Sequence, residues 1–298
     1  MKEVIEIRRI VIDTDIGDDI DDALAIVLAL KSPELEVAGL TTVYRNTGLR
    51  TKLALQLLKA YERPDIPVAT GIGSPLLTQT DAGSIPCQWL DEYSDIESNC
   101  GQHAVDFLID QVSRDPKITI VAIGPLTNIA CAVMKSPEVM RQAEIVLMGG
   151  MHSAFYPEWN IVCDPEAAAI VFNSGLKLTM VGLDVTLKCR LTQSDVDRIK
   201  LRGKSETAFL SRLLSQWMDS SKHLPILHDP LTIAYLSHPD LLEFQPKKVS
   251  VECKGEFTRG MTVEHRDVFF DRPMDVNVLA AVEVRQEAFI QLFLERLL

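Results

Sequence analysis

The chain has 298 residues, 47% of them hydrophobic, which is enough to bury the core of one large α/β domain or two small ones. Its formal net charge of −12 disfavours nucleic-acid and anionic-membrane surfaces, which need clustered Lys and Arg, and fits a small neutral or cationic ligand. The six cysteines lie far apart without a C-x-x-C pair, no apolar run is long enough to span a membrane, and residues 1–6 carry no apolar leader, so the expectation is a cytoplasmic protein with reduced thiols.

In chain order, Arg9-Ile10-Val11-Ile12 reads as a strand, and Asp21 to Leu30 as a helix whose two first-turn acids suit the helix dipole. Residues 35–43 read as a second strand, 49–61 as a second helix and 66–70 as a third strand. Residues 117–122, 144–148 and 177–181 continue the series, residues 207–221 form a helix, and residues 285–298 form the last one. Near-continuous apolar strands alternating with helices predict one domain over residues 1–298: a mostly parallel, open, Rossmann-like α/β sheet with helices on both faces. Residues 71–99 and 149–161 break the rhythm and read as binding loops. Ligands of such sheets sit beyond the carboxyl ends of the strands, where most of the polar clusters fall.

The densest cluster is Asp13-Thr14-Asp15-Ile16-Gly17-Asp18-Asp19-Ile20-Asp21-Asp22, six carboxylates in ten residues between an apolar strand and an apolar helix. Six ionised carboxylates cannot converge without a counter-charge, and hard oxygen donors point to Ca²⁺ or Mg²⁺ rather than zinc or copper. A solvated acidic loop with helix-capping Asp residues is the plainer alternative.

Asp13-x-Asp15, a Gly-bearing loop and Asp21-Asp22-Ala23-x-Ala25 resemble the N-terminal signature of the inosine–uridine-type nucleoside hydrolases. The common form of that signature, D-x-D-x-G-x-D-D, is two residues shorter. Asp18-Asp19 falls within one residue of its spacing, whereas the Ala-x-Ala helix start follows Asp21-Asp22, so an insertion in the loop favours Asp15 and Asp22 and leaves Asp18 and Asp19 as competitors. Thr41-Thr42-Val43-Tyr44-Arg45-Asn46 resembles T-T-V-x-G-N, with Arg45 in place of Gly. Gly124-Pro125-Leu126-Thr127-Asn128, Leu147-Met148-Gly149-Gly150, Glu158-Trp159-Asn160-Ile161 and His228-Asp229-Pro230 follow in the family order, the third with Trp159 in place of Phe.

The resemblance implies a nucleoside hydrolase-like fold and hydrolysis of ribonucleosides to ribose and free base through an oxocarbenium-like transition state. It implies Ca²⁺ as cofactor, bound by Asp15, Asp22, the Thr127 carbonyl and Asp229, with water activated by Asp15 as general base. It gives Asp21 and Asn46 to the ribose 2′-OH, Glu158 and Asn160 to the 3′- and 5′-OH, and Met148 to packing against the sugar. A homodimer or homotetramer is also implied. Asp13 reads as support for the loop, Asp229 as compatible with a helix N-cap before Pro230, and Asn128 as a helix cap. His228 is the candidate acid for the leaving base, because an unperturbed pKa of about 6.5 suits proton donation; His152 is a second choice. The Met148–Glu158 stretch is four residues shorter than the family pattern, so a 5′-OH contact is either lost or supplied by His152 or Tyr156. Tyr156, Trp159 and Trp217 are candidates for the base. Two other readings compete: a Mg²⁺-dependent D-x-D phosphohydrolase, with Lys188 for the phosphate, and a non-catalytic calcium- and ribose-binding relative.

Overall fold

The computed structural model describes residues 7–201, 205–267, 269–270, 272–273 and 275–298, so the leader reading of residues 1–6 lies outside the described residues. Among the described residues ten strands form the sheet: β1 Arg8–Thr14, β2 Leu35–Thr42, β3 Val68–Thr70, β4 Thr119–Ala122, β5 Glu144–Met148, β6 Lys177–Val181, β7 Leu242–Val251, β8 Thr262–Asp267, β9 Arg272–Pro273 and β10 Val278–Val284. Their order across the sheet is β3-β2-β1-β4-β5-β6-β10-β7-β8-β9. From β3 to β10 all neighbours are parallel, as the continuous apolar strand runs require, because such strands must be covered on both faces. Beyond β10 the pairing turns antiparallel, an extension that alternating polarity did not announce in the sequence.

Chain order runs outward from β1 to β2 and β3 on one side, and from β4 to β5 and β6 on the other. The β1/β4 junction is therefore the switch point of the sheet, where the crossovers leave a crevice at the carboxyl ends. Asp13 and Thr14 end β1, and Ile123 and Gly124 follow β4 directly beside them.

The sheet separates two apolar layers, one built on Ile12, Leu24, Leu58 and Phe293 and the other on Val11, Phe107, Ile145 and Phe172. Helix Asp21–Leu30 is buried from Asp21 to Ala29, which explains a sequence that is apolar nearly all round. It packs on helix His228–Ser237, so the chain's first acidic turn meets the His-Asp-Pro segment. No helix among the described residues is long and apolar enough to cross a membrane.

Close packing between sheet and helix appears at Gly39 on β2, where a Cβ would lie 2.4 Å from Phe107 Cζ on helix Ala104–Arg114. Gly39→Ala should therefore destabilise the fold by about 1–3 kcal/mol, the usual cost of overpacking a core. Urea unfolding of the two proteins measures it, and equal midpoints would show that the helix moves aside freely.

Candidate active site

A cavity of about 810 Å³ opens at the switch point, and nearly all the acids of the cluster line it: Asp15, Asp18, Asp19, Asp21 and Asp22, joined by Asp229 from the far end of the chain. Helix packing makes this meeting possible, since the Asp229 amide donates to Asp21 Oδ2 at 3.4 Å across 208 residues of sequence. Carboxylate oxygens of Asp21, Asp22 and Asp229 all lie within 4.8 Å of one another, and all three residues are buried. At an effective dielectric near 20, two ionised carboxylates at that range repel by about 3–4 kcal/mol. Burial, and then the neighbouring acids, push all three well above the ordinary carboxylate range. Asp15 reaches about 6: burial raises it, the Arg50 guanidinium pulls it back, and Asp18 adds to the rise. A site of crowded, buried, hard oxygens fits a divalent cation with a preference for oxygen.

The loop that carries these acids is held by Arg50, whose side chain has no exposed surface. Its Nε donates to the Tyr44 carbonyl at 2.8 Å, Nη1 to the carbonyls of Asp15 and Ile16, and Nη2 to Asp18 Oδ2 at 2.7 Å. Sequence reading missed Arg50, although a signal was there. In helix Thr47–Ala60 it shares the i, i+3, i+4, i+7 face with Leu53, Ala54 and Leu57, so a charged residue sits on the buried stripe. From the opposite side the irregular segment clamps the loop, with the Gln88 amide and Cys87 thiol donating to the Gly17 carbonyl and Gln88 Nε2 to that of Asp19. Asp13 sits behind, fully buried, accepting from Thr41 Oγ1 and Asn128 Nδ2, and burial lifts it to about 7. Asn128 is thus a bridge to Asp13 and the Thr42 carbonyl, not a helix cap.

Met148, Glu158 and Asn160 line the other wall. Glu158 caps helix Trp159–Cys163, accepting from the amides of Asn160 and Ile161, and also from Gly150 at 3.0 Å; burial nevertheless raises it to about 7. Asn160 Nδ2 donates to the carbonyls of Ile123 and Met148, both at 3.2 Å.

Several expected residues lie elsewhere. Thr127 is not on the cavity; its hydroxyl donates to Asp164 at 2.7 Å, and the residue facing the site after β4 is Ile123. The reason is geometric, since Thr127 has already entered helix Thr127–Lys135 while Ile123 still follows the strand end. Asn46 is not on the cavity either. Positive φ at Tyr44 and Arg45, 68° and 55°, turns the chain so that Asn46 Oδ1 caps helix Thr47–Ala60 and Arg45 lines the cavity instead. Asp229 lies in the first turn of its helix and makes no cap bond, the N-cap being Leu227. His152 turns away from the cavity, 3.6 Å from Asp184, with its Nε2 3.3 Å from the Ala281 carbonyl. Tyr156 and Trp159 line the cavity, whereas Trp217 belongs to the core. Lys188 pairs with Glu283 at 2.9 Å away from the acids, which removes the phosphate partner of the phosphohydrolase reading.

His228 does line the cavity, with Nδ1 2.8 Å from Thr186 Oγ1. Burial, with Arg190 nearby, lowers its pKa to about 4. It is therefore neutral near pH 7, and the ordinary imidazole pKa that recommended it does not apply.

Comparison with known proteins follows the same line. Residues 10–291 match the family model described as inosine-uridine preferring nucleoside hydrolase. The chain is 36% identical over 310 residues to a pyrimidine-specific ribonucleoside hydrolase of Salmonella arizonae, covering 97% of each chain. A counterpart in Klebsiella pneumoniae is also 36% identical, over 96% of this chain and 97% of its own. Among solved structures, a plant nucleoside hydrolase superposes with a TM-score of 0.86 at 32% identity, over 97% of this chain and 98% of that one. A purine-preferring ribonucleoside hydrolase from Gardnerella vaginalis gives 0.84 at 31% identity, with the same coverage.

Raised carboxyl pKa values fix the sign of a pH effect. Between an unfolded value of about 4 and the folded values of about 6 for Asp15 and 7 for Asp13 and Glu158, the folded state binds more protons, so its stability falls as pH rises. His228, whose pKa is lowered, opposes this trend, but the raised carboxyl groups, Asp21, Asp22 and Asp229 among them, outnumber it. A bound divalent cation relieves the repulsion only when the acids ionise. Added Ca²⁺ should therefore raise the melting temperature of chelator-treated protein several degrees more at pH 7 than at pH 5. Equal shifts at the two pH values would detach the cation from these acids.

Proposed function

The chain belongs to the inosine-uridine preferring nucleoside hydrolase family and hydrolyses the N-glycosidic bond of ribonucleosides; from that premise we propose that Asp15 acts as general base, that Asp15, Asp22 and Asp229 hold a Ca²⁺ ion, and that His228 serves the departing base. The observation that carries this reading is the convergence of Asp21, Asp22 and Asp229 oxygens in the cavity that Asp15 also lines.

The donor set suits calcium because it offers several carboxylates and a backbone carbonyl, all hard oxygens. That carbonyl is assigned to Ile123 in place of Thr127, because Ile123 lines the cavity and Thr127 does not. When bound, the cation supplies positive charge that lets the acids ionise together and that orients and acidifies the attacking water. Asp15 takes the water's proton as the C1′–O bond forms and the C1′–N bond breaks. Asp21 accepts from the 2′-OH. Glu158, anchored by three amides, accepts from the 3′-OH, and Asn160, whose Nδ2 is engaged, accepts from the 5′-OH through Oδ1. Met148 packs against the sugar. When Thr186 donates to Nδ1, the neutral His228 ring carries its proton on Nε2 and shares it with the base as negative charge develops there.

Asp15→Asn should leave a folded protein and lower kcat by about 10²–10⁴-fold, with EGTA treatment of the wild type abolishing turnover. Reducing-sugar release with and without calcium measures both, and undiminished activity of the variant would remove Asp15 from the base role. His228→Ala should slow inosine and uridine by about 10²-fold or more while barely affecting an activated aryl riboside, whose leaving group needs no proton. Equal losses on both substrates would show that His228 acts on the sugar or the fold instead.

A further inference from the structure

Three departures from the family pattern, far apart in sequence, form one contact set. Asp18 belongs to the inserted loop, Arg45 stands where the pattern has Gly, and Trp159 stands where it has Phe. Arg45 Nη1 pairs with Asp18 Oδ2 at 3.2 Å, and its guanidinium carbon lies 5.9 Å from the Trp159 ring centroid and 5.2 Å from that of Tyr44. All three line the cavity, and Trp159 keeps 56% of its surface exposed.

Arg45 is the one Lys or Arg among the described residues lining a cavity that seven carboxylates also line. Burial works against its charge, but the groups beside it, Tyr44 and Asp18 first, raise the guanidinium above its ordinary pKa. It also sits at φ 55°, a left-handed conformation that glycine adopts freely and arginine does not. Strained positions of this kind persist where the surrounding structure holds them, and they cluster at functional sites. A guanidinium carries five N–H donors, of which Nη1 is engaged with Asp18 Oδ2 at 3.2 Å. The acids, Asn160 and the cation already provide acceptors and coordination for the ribose hydroxyls. The groups of a nucleoside left for a further donor are the base carbonyls and ring nitrogens that His228 does not serve.

We propose that Arg45, braced by Asp18 and stacked on Trp159, is a specificity-determining residue that donates to the nucleobase and favours bases with a keto oxygen over bases with an amino group at the facing edge. This rests on the nucleoside hydrolase reading of the same cavity and deepens it. A keto oxygen accepts from the guanidinium fork. An amino group sets N–H against N–H, and donors left unpaired in a partly desolvated site are costly. Trp159 supplies the aromatic face on which the base lies, with the guanidinium on its edge of the wall. The bases named for the relatives above, pyrimidines for two and purines for another, differ in ring size; the Arg45 contact discriminates by functional group instead.

The test compares kcat/KM for uridine against cytidine and for inosine against adenosine in the wild type, Arg45→Gly and Arg45→Lys, with calcium present. Arg45→Gly relieves the backbone strain, so it should fold with a melting temperature close to the wild type. Its keto-over-amino ratios should fall about ten-fold or more, and Arg45→Lys, a charge without the planar fork, should fall between. Asp18→Asn should lower the ratios in the same direction by a smaller factor. An active, folded Arg45→Gly enzyme with wild-type ratios overturns the proposal and leaves the hydrolase reading intact. A wild type that releases no sugar from any of the four nucleosides overturns both.

Discussion

Everything in the site depends on holding carboxylates together in a place that water barely reaches. Arg50 meets part of that demand from beneath, donating four hydrogen bonds to the carbonyls of Tyr44, Asp15 and Ile16 and to Asp18. A fully buried cation is tolerated only when its donors are satisfied and an opposite charge is near, and both conditions hold here. Yet its bonds go to the loop backbone and Asp18, not to Asp21, Asp22 and Asp229. Of the convergent trio only Asp22 feels Arg50, at a distance, and like charges dominate around all three, so the fold builds a demand for a cation into its switch point.

The same economy governs the neighbouring turn. The backbone after β2 passes through two consecutive left-handed residues, Tyr44 and Arg45, and their amides are paired with the carbonyls of Ile72 and Gly73. Non-glycine residues rarely accept that conformation. Here it sends the Tyr44 carbonyl to Arg50, the Arg45 side chain to the cavity and the Asn46 side chain to the helix end. One turn therefore connects the hidden brace, the half-buried cation and the start of a helix. Gly124 adds a further constraint from β4, because a Cβ there would lie 2.9 Å from Asp15 Oδ1. The closeness of the two strand ends is what keeps Asp15 against the crevice.

Polar residues at helix starts were the hardest to assign. Asn46, Glu158 and Asp164 all cap helices, and Asn128 and Thr127 serve those caps or the strand ends. A cap and a ligand contact want the same residue types at the same strand-to-helix junctions. Glu158 does both kinds of duty in position, since it caps and also lines the cavity, whereas Asn46 and Thr127 cap or support without reaching it. His228 shows the electrostatic version of this difficulty. Its place in the cavity follows from the His-Asp-Pro segment, but its depressed pKa comes from burial and Arg190, which is 38 residues away in sequence.

Alternation of apolar strands and helices was enough to determine the parallel half of the sheet, and the density of Asp between β1 and its helix was enough to mark the cation site. Both signals are local, because a strand buried on two faces and a loop of hard oxygens each write their requirement into a few consecutive residues. The antiparallel β7–β10 extension, the burial of Arg50 and the meeting of Asp18, Arg45 and Trp159 were settled by tertiary structure alone. These depend on which segments become neighbours once the helices dock. The choice of Ile123 over Thr127 and of Arg45 over Asn46 turns on a few residues of strand ending and on the sign of two φ angles. Sequence specifies which chemistry must assemble at the switch point; only packing decides which of several suitable side chains is turned toward it.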